Sequence, residues 1–491
     1  MRLRAFWLLL LTACGTRGDL FVQPLTPLPL LATRSALVQV VPQTSRAVVL
    51  KPPQAPVDLE LSAGARVAAH VPGSELVLVL AGSLREPRLD VVDTQALTAE
   101  HLEVPGLFDA IHLSPDGQHA VLTYSATTSG TPLAARNLNE IALVELSSRT
   151  VTRIQLDTES LAPHAVVYGP DEAARRLVAV ALDRGVALFD AKRPTEAPRR
   201  ISIRPQGVPT EATVLEALFS QDARFLFLRA SGLDDVIVVE LEPSAQGVSA
   251  SINFVAGGQG LADIDLSSGG VLAVYAQSKE ALRLDPRGII DNVLRLPLPD
   301  TYNAVRPLSN ERVLLFGPST KQVTAWDVTD GRSGTAVLDG VGASVGIAEP
   351  LGKALFAHGS LSAGGGSALS ILTVEDAATR LRARIQSIQL VRPASVFALD
   401  ERKERLFFAA DGDGAVVTLD LRTLQLAQVS LDASPRALFH LPEGDWLAAV
   451  HSNIPLGDVT FVPAGSQDRT QALRYSYFGL TGDLDRATEG L

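Results

Sequence analysis

Cysteine is almost absent from this 491-residue chain, where Cys14 stands alone. A single thiol cannot form an intrachain disulfide, so the fold must hold without covalent cross-links. It also removes every zinc site built on cysteine pairs. Methionine occurs only as Met1, and aromatic residues make up just 5% of the chain. Long basic runs are missing too, and the formal charge is −11, which makes the chain a poor nucleic-acid binder. The eight histidines form no His-x-x-x-His pair, and no Gly-x-x-x-x-Gly-Lys phosphate loop is present. No long segment keeps a 3.6-residue apolar period. The best helical candidate, residues 374–385, is brief. What remains is a chain of 46% hydrophobic and 20% charged residues, the balance of a well-buried globular protein.

The N-terminus has three parts. Arg2 and Arg4 give a positive start, Ala5 to Leu11 is apolar, and Leu11-Thr12-Ala13-Cys14 places small residues before the cysteine. Such an apolar run is too short to span a bilayer core of about 30 Å, and its flanks are those of a cleaved export signal. Leu11-Thr12-Ala13-Cys14 resembles the lipobox of bacterial lipoproteins. The resemblance implies that residues 1–13 are a signal peptide and that Cys14 is acylated and becomes the new N-terminus. It also implies a stable anchor, since more than one acyl chain would be attached. Gly15 stands where that family's inner-membrane retention signal has aspartate, so the expected location is the cell envelope, at the outer membrane. Losing Arg2 and Arg4 takes the formal charge from −11 to −13. Residues 14–36 hold Pro24, Pro27 and Pro29 and read as a semi-extended tether.

Beyond it one pattern recurs: a strand, a tight polar turn, a strongly apolar run, then another strand. Turns centre near Gly73, Asp116, Asp171, Asp222, Gly269, Asn310, Gly352, Arg402 and Gly444, spaced 41 to 55 residues apart. Asp, Gly, Pro and Ser each supply a specific turn geometry. Units of this length with about four strands each predict an all-β fold, a single β-propeller of four-stranded blades over residues 37–484. The expected number of blades is about eight, between seven and nine, with residues 485–491 as a tail. Leu113-Ser114-Pro115-Asp116-Gly117 and Ala325-Trp326-Asp327-Val328 resemble pieces of WD40 and YVTN propeller repeats. Strand-like segments 36–41 and 46–50 are expected to close the ring by joining residues 475–479.

Long loops on a rigid scaffold are the usual place for binding. Residues 125–139 and 359–367, with a shorter excursion at 451–458, mark one face, and Tyr124, His358, His451 and Asn453 lie at or near the strand ends feeding these loops. Glu216, Asp263 and Asp265 fall in or beside innermost strands and form a possible channel site. Gly342-Ala343-Ser344-Val345-Gly346 has the letters of a nucleophile elbow but sits within the β repeat, with no helix behind it. Asp411-Gly412-Asp413-Gly414 reads as a hairpin turn and not as a calcium loop. With no catalytic motif and no implied cofactor, the leading expectation is a membrane-anchored, non-enzymatic binding or scaffolding module with a protein or glycan partner. The alternative is a metal-dependent propeller hydrolase, lactonase-like, using Glu216, Asp263 and Asn303 in the channel. The anchor is testable directly: Cys14→Ser should appear in the soluble fraction or remain unprocessed on fractionation, and a variant still processed and membrane-bound would refute lipidation.

Overall fold

The computed structural model describes residues 25–476, apart from 126–136, 157–162, 204–211, 286–292, 359–366, 452–457 and isolated positions at 184, 245–246, 268–269, 310, 349–350, 378 and 411. Among the described residues forty strands form ten antiparallel sheets of four, each in simple sequence order. We number these blades 1 to 10: residues 31–60, 67–103, 110–155, 165–202, 214–255, 261–297, 304–337, 342–390, 394–430 and 435–476. The first strand of each blade is innermost, because neighbouring first strands touch around the ring, as Ala394–Asp400 does Pro435–Leu441 and Leu261–Ser267 does Ala304–Pro307. Among the described residues no helix is long and apolar enough to cross a membrane.

The middle strands of a blade are apolar on both faces because both faces are covered. Leu177–Leu182 is buried throughout, with Ala179 and Ala181 packing toward blade 5 and Val178 and Val180 toward blade 3. Burying one such Val or Leu is worth about 1.5–3 kcal/mol. Outer strands revert to polar residues, as in the mostly exposed Thr98–Glu103. The nine recognised turns all fall between first and second strands of blades 2 to 10. In blade 3 Ser114 Oγ donates to Asp116 Oδ1 at 2.7 Å and accepts from the His119 amide at 2.9 Å, while Gly117 takes φ +68°. Ser220 and Asp222 repeat the first bond in blade 5 at 2.6 Å.

Three expectations need correction. There are ten blades, more than the seven to nine expected, because blade 1 turns through Thr33-Arg34-Ser35-Ala36, which lacks Gly, Pro and Asp. Its first strand, Leu31–Ala32, lies inside the segment read as tether. Residues 374–385 are not helical; they belong to the hairpin Ser367–Ala377 and Arg380–Leu390. Alternation of Leu381, Ala383 and Ile385 against blade 7 overrides the helical propensity of its Ala, Glu and Arg residues. Finally, among the described residues no strand is exchanged between blades 1 and 10 to close the ring. Leu37–Val41 and Arg46–Leu50 stay in blade 1, and Leu473–Ser476 pairs within blade 10.

Closure instead joins two complete sheets face to face. Leu37, Val48 and Leu50 of blade 1 pack on Leu441, Ala448, Val459 and Phe461 of blade 10. At the turns, the Glu443 amide donates to the Arg34 carbonyl at 2.9 Å, and Glu75 of blade 2 accepts from Thr33, Ser35 and Thr94 at 2.8, 2.9 and 2.6 Å. Burial would raise the Glu75 carboxyl, but the bonds from Thr94, Thr33 and Ser35 prevail and hold it below its usual 4.5. The stability this adds is therefore complete above pH 4.5 and is lost as pH falls through the folded value. Glu75→Gln should lower the unfolding midpoint at pH 7 and converge on the wild type in acid; a deficit independent of pH would show that the ionised carboxylate is not what matters.

Candidate metal centre

Two carboxylates and an imidazole converge where blade 9 meets blade 10. Asp400 ends Ala394–Asp400, and a tight turn with Glu404 at φ +55° brings Arg405, the first residue of Arg405–Ala410, opposite it. His440 lies in Pro435–Leu441, and Asp445 occupies the following turn at φ +54°. Because these first strands pack side by side, His440 Nε2 lies 3.1 Å from Asp445 Oδ1 and 3.6 Å from Asp400 Oδ2. One donor atom from each of the three residues lies within 4.8 Å of the other two.

Two cations hold this cluster. Arg405 Nη2 donates to Asp400 Oδ2 at 2.6 Å and to Asp445 Oδ1 at 2.5 Å, and Lys403 Nζ reaches Asp445 Oδ2 at 2.6 Å. Burial opposes ionisation of Asp445, but Arg405, Lys403 and His440 together pull its carboxyl down to about 2. Arg405 is pinned: its Nη1 donates to the Ala464 carbonyl at 2.9 Å, and its guanidinium lies over the Phe407 ring, 5.3 Å from the centroid. The Lys403 side chain is 53% exposed. Two carboxylate oxygens and one imidazole nitrogen suit a borderline dication such as zinc, manganese or ferrous iron, with a position left open for water or substrate. The oxygens nearest His440, Asp400 Oδ2 and Asp445 Oδ1, are the two that Arg405 Nη2 holds, so a dication bound through them would displace that guanidinium contact, while Lys403 holds the other oxygen of Asp445.

This finding overturns the expectation of a purely non-enzymatic module and of a chain more probably without activity, since a donor set able to support metal chemistry is present. Sequence inspection passed it over because 40 residues separate Asp400 from His440, and no spacing rule links two turns of different blades. The available signal was that Asp400 and Asp445 flank equivalent turns, centred near Arg402 and Gly444.

The structure does gather the channel carboxylates. Glu216 lies on Val214–Phe219, Asp263 and Asp265 on Leu261–Ser267, and all three are on innermost strands. Each of the first two has its own cation: Arg229 Nε donates to Glu216 at 3.0 Å, and Arg306 Nη1 to Asp263 at 2.7 Å. Asp265 is only 4.0 Å from Arg306. Asn303 stands just before the first strand of blade 7 and is exposed.

Tyr124, His358 and His451 are buried, at 3%, 2% and 3% exposure, and so do not line an open surface. His358 Nε2 bonds Ser370 Oγ at 2.7 Å, and His451 Nε2 bonds Thr460 Oγ1 at 2.7 Å, tying the end of a second strand to the third. Burial lowers both imidazoles below their usual value. Tyr124 and Tyr275 reach back toward the chain entering their own blades, at Gly106 and Gly257, where a Cβ would lie 2.7 and 2.1 Å from the phenol oxygens. Asn453, most of the three long loops and Cys14 fall outside the described residues. Gly342–Ala348 is a strand, and residues 412–414 lie between the paired strands Arg405–Ala410 and Ala415–Asp420.

No family model and no curated protein matches the chain. Solved structures similar to it include a dihydro-haem d1 dehydrogenase (14% identity, 74% of this chain and 75% of that one, TM-score 0.42). Another is a eukaryotic initiation factor (12%, 74% and 97%, TM-score 0.40). A third is the hydrazine synthase of Kuenenia stuttgartiensis (14%, 93% and 99%, TM-score 0.32). Likenesses this distant carry no argument about family, ligand or reaction. The strand pairing of the chain itself defines the propeller.

The channel supplies a pH test. Burial pushes the Asp265 carboxyl up to about 6, with Asp263 and Glu216 adding to the effect and Arg306 opposing it. A raised carboxyl favours the neutral form, so its contribution is intact below the ordinary 3.8 and is lost as pH rises through 6. Asp265→Asn should therefore stabilise the fold at pH 8 by about 1–3 kcal/mol in denaturant titrations, with the gain shrinking toward pH 4. Equal stability at pH 8 would refute a destabilising charge there.

Proposed function

We propose that this protein is a propeller hydrolase of the cell envelope whose metal is held by Asp400, His440 and Asp445. The carrying observation is the convergence of three donor atoms within 4.8 Å, at a point where Arg405 Nη2 already bridges the two carboxylates. The reading keeps the metal-dependent alternative and moves its centre from the Glu216, Asp263 and Asn303 positions to the seam of blades 9 and 10. A bound dication would polarise a carbonyl or phosphoryl oxygen and acidify water. Before metal binds, Arg405 holds the two carboxylates in register across the seam, and the stacking of His440 on Phe407, with centroids 5.6 Å apart, fixes the imidazole plane. The lipobox resemblance at Cys14 supports display from the outer membrane, and the broad rim of ten blades supports a protein or glycan partner alongside the chemistry.

Metal loading tests this. Full-length protein incubated with zinc or manganese and desalted should retain about one equivalent by mass spectrometry. His440→Ala and Asp445→Asn should lower affinity at least about tenfold, as loss of a ligand or its support does. Hydrolysis of ester and lactone substrates should follow metal content. Wild-type protein that retains no metal, or variants that retain it equally, would overturn the assignment.

A further inference from the structure

The paired strands Ser367–Ala377 and Arg380–Leu390 of blade 8, at eleven residues each, are the longest among the described residues. Residues 367–372 of the first of these strands are buried throughout. Toward the turn of the hairpin the two faces differ. One carries Val374, Leu381 and Ala383 and packs on blade 7, where Arg312 Nη2 and Arg332 Nη2 also hold Asp376 at 2.6 and 3.4 Å. The opposite face is turned toward blade 9 but extends past it. There Arg380, Arg382 and Arg384 are exposed on alternate positions. Only Arg384 has an ion partner among the described residues, Glu375 at 3.4 Å. With Glu375 directly across from Arg382, the face carries three positive charges and one negative, a net positive patch on a chain of net charge −11.

We infer that this face docks an extended acidic segment of a partner protein. Alternate residues of a strand are spaced about 6.6–6.8 Å apart, so the three guanidinium groups match carboxylates on every second residue of an extended chain. Opposite charges facing one another across strands are the favourable arrangement. The face is two strands wide, which accommodates one such chain. A broad polyanion such as nucleic acid or an anionic membrane would bring its charge against the rest of this acidic surface, beyond the roughly 8–10 Å over which three arginines can compensate. The hairpin is already fastened by its other face and by Asp376, so little ordering is needed on docking. This surface is separate from the proposed metal centre and stands independently of it.

The test uses full-length protein and a fluorescent ten-residue peptide alternating Glu and Thr. Fluorescence anisotropy should show saturable binding that weakens about tenfold or more as salt rises from about 50 to 300 mM. Arg380→Gln with Arg382→Gln should weaken it at least about fivefold while leaving the unfolding midpoint unchanged, as exposed substitutions do. A peptide of the same composition with its glutamates in one block should bind more weakly. Binding equal in the double variant, equal affinity for the blocked peptide, or preference for phosphatidylglycerol vesicles or polyphosphate over the alternating peptide would each overturn the inference.

Discussion

Every blade of this protein is greasy on both faces, and that imposes ring closure. A sheet such as Leu177–Leu182 with its partners has no polar side to give to water, so each blade needs two neighbours. The last need is met only when blade 10 reaches blade 1. With no disulfide available and no strand exchanged, closure rests on Leu37, Val48 and Leu50 against Leu441, Val459 and Phe461, and on the turn contacts of Arg34 with Glu443 and of Glu75 with Thr33 and Ser35. Loss of this seam would expose two apolar sheet faces at once, which soluble proteins avoid.

Between blades a second device recurs. A cation from one blade donates to the carbonyl immediately after the third strand of the next: Arg283 to Val328 at 2.7 Å, Lys353 to Leu421, and Arg405 to Ala464 at 2.9 Å. A carbonyl at that place has no ladder partner, and a charged donor satisfies it well. The candidate metal centre is the third of these staples with Asp400, His440 and Asp445 added. Chemistry would thus have been built on a contact whose first role is to hold neighbouring blades together, which gives the donors a rigid frame.

Much of the architecture was legible because strand turns are local. Ser114, Asp116 and Gly117 build their turn from residues a few positions apart, and nine such turns located nine hairpins. The tenth, through Thr33 to Ala36, has local bonds of the same kind between Thr33 and Ala36 but escaped because it contains no Gly, Pro or Asp to mark it. The hairpin at 374–385 misled for the opposite reason: its composition favours helix, and only the apolar face of blade 7 selects the strand.

The sequence by itself determined the all-β class, the repeated four-stranded unit, the absence of covalent cross-links and the location of carboxylates on innermost strands, because each follows from composition or from neighbours along the chain. Tertiary structure decided the rest. It set ten blades, buried Tyr124, His358 and His451 as internal ties, and made a donor set from Asp400, His440 and Asp445. Those three meet only because neighbouring innermost strands pack side by side, a contact between residues 40 apart that leaves no periodic trace in the sequence.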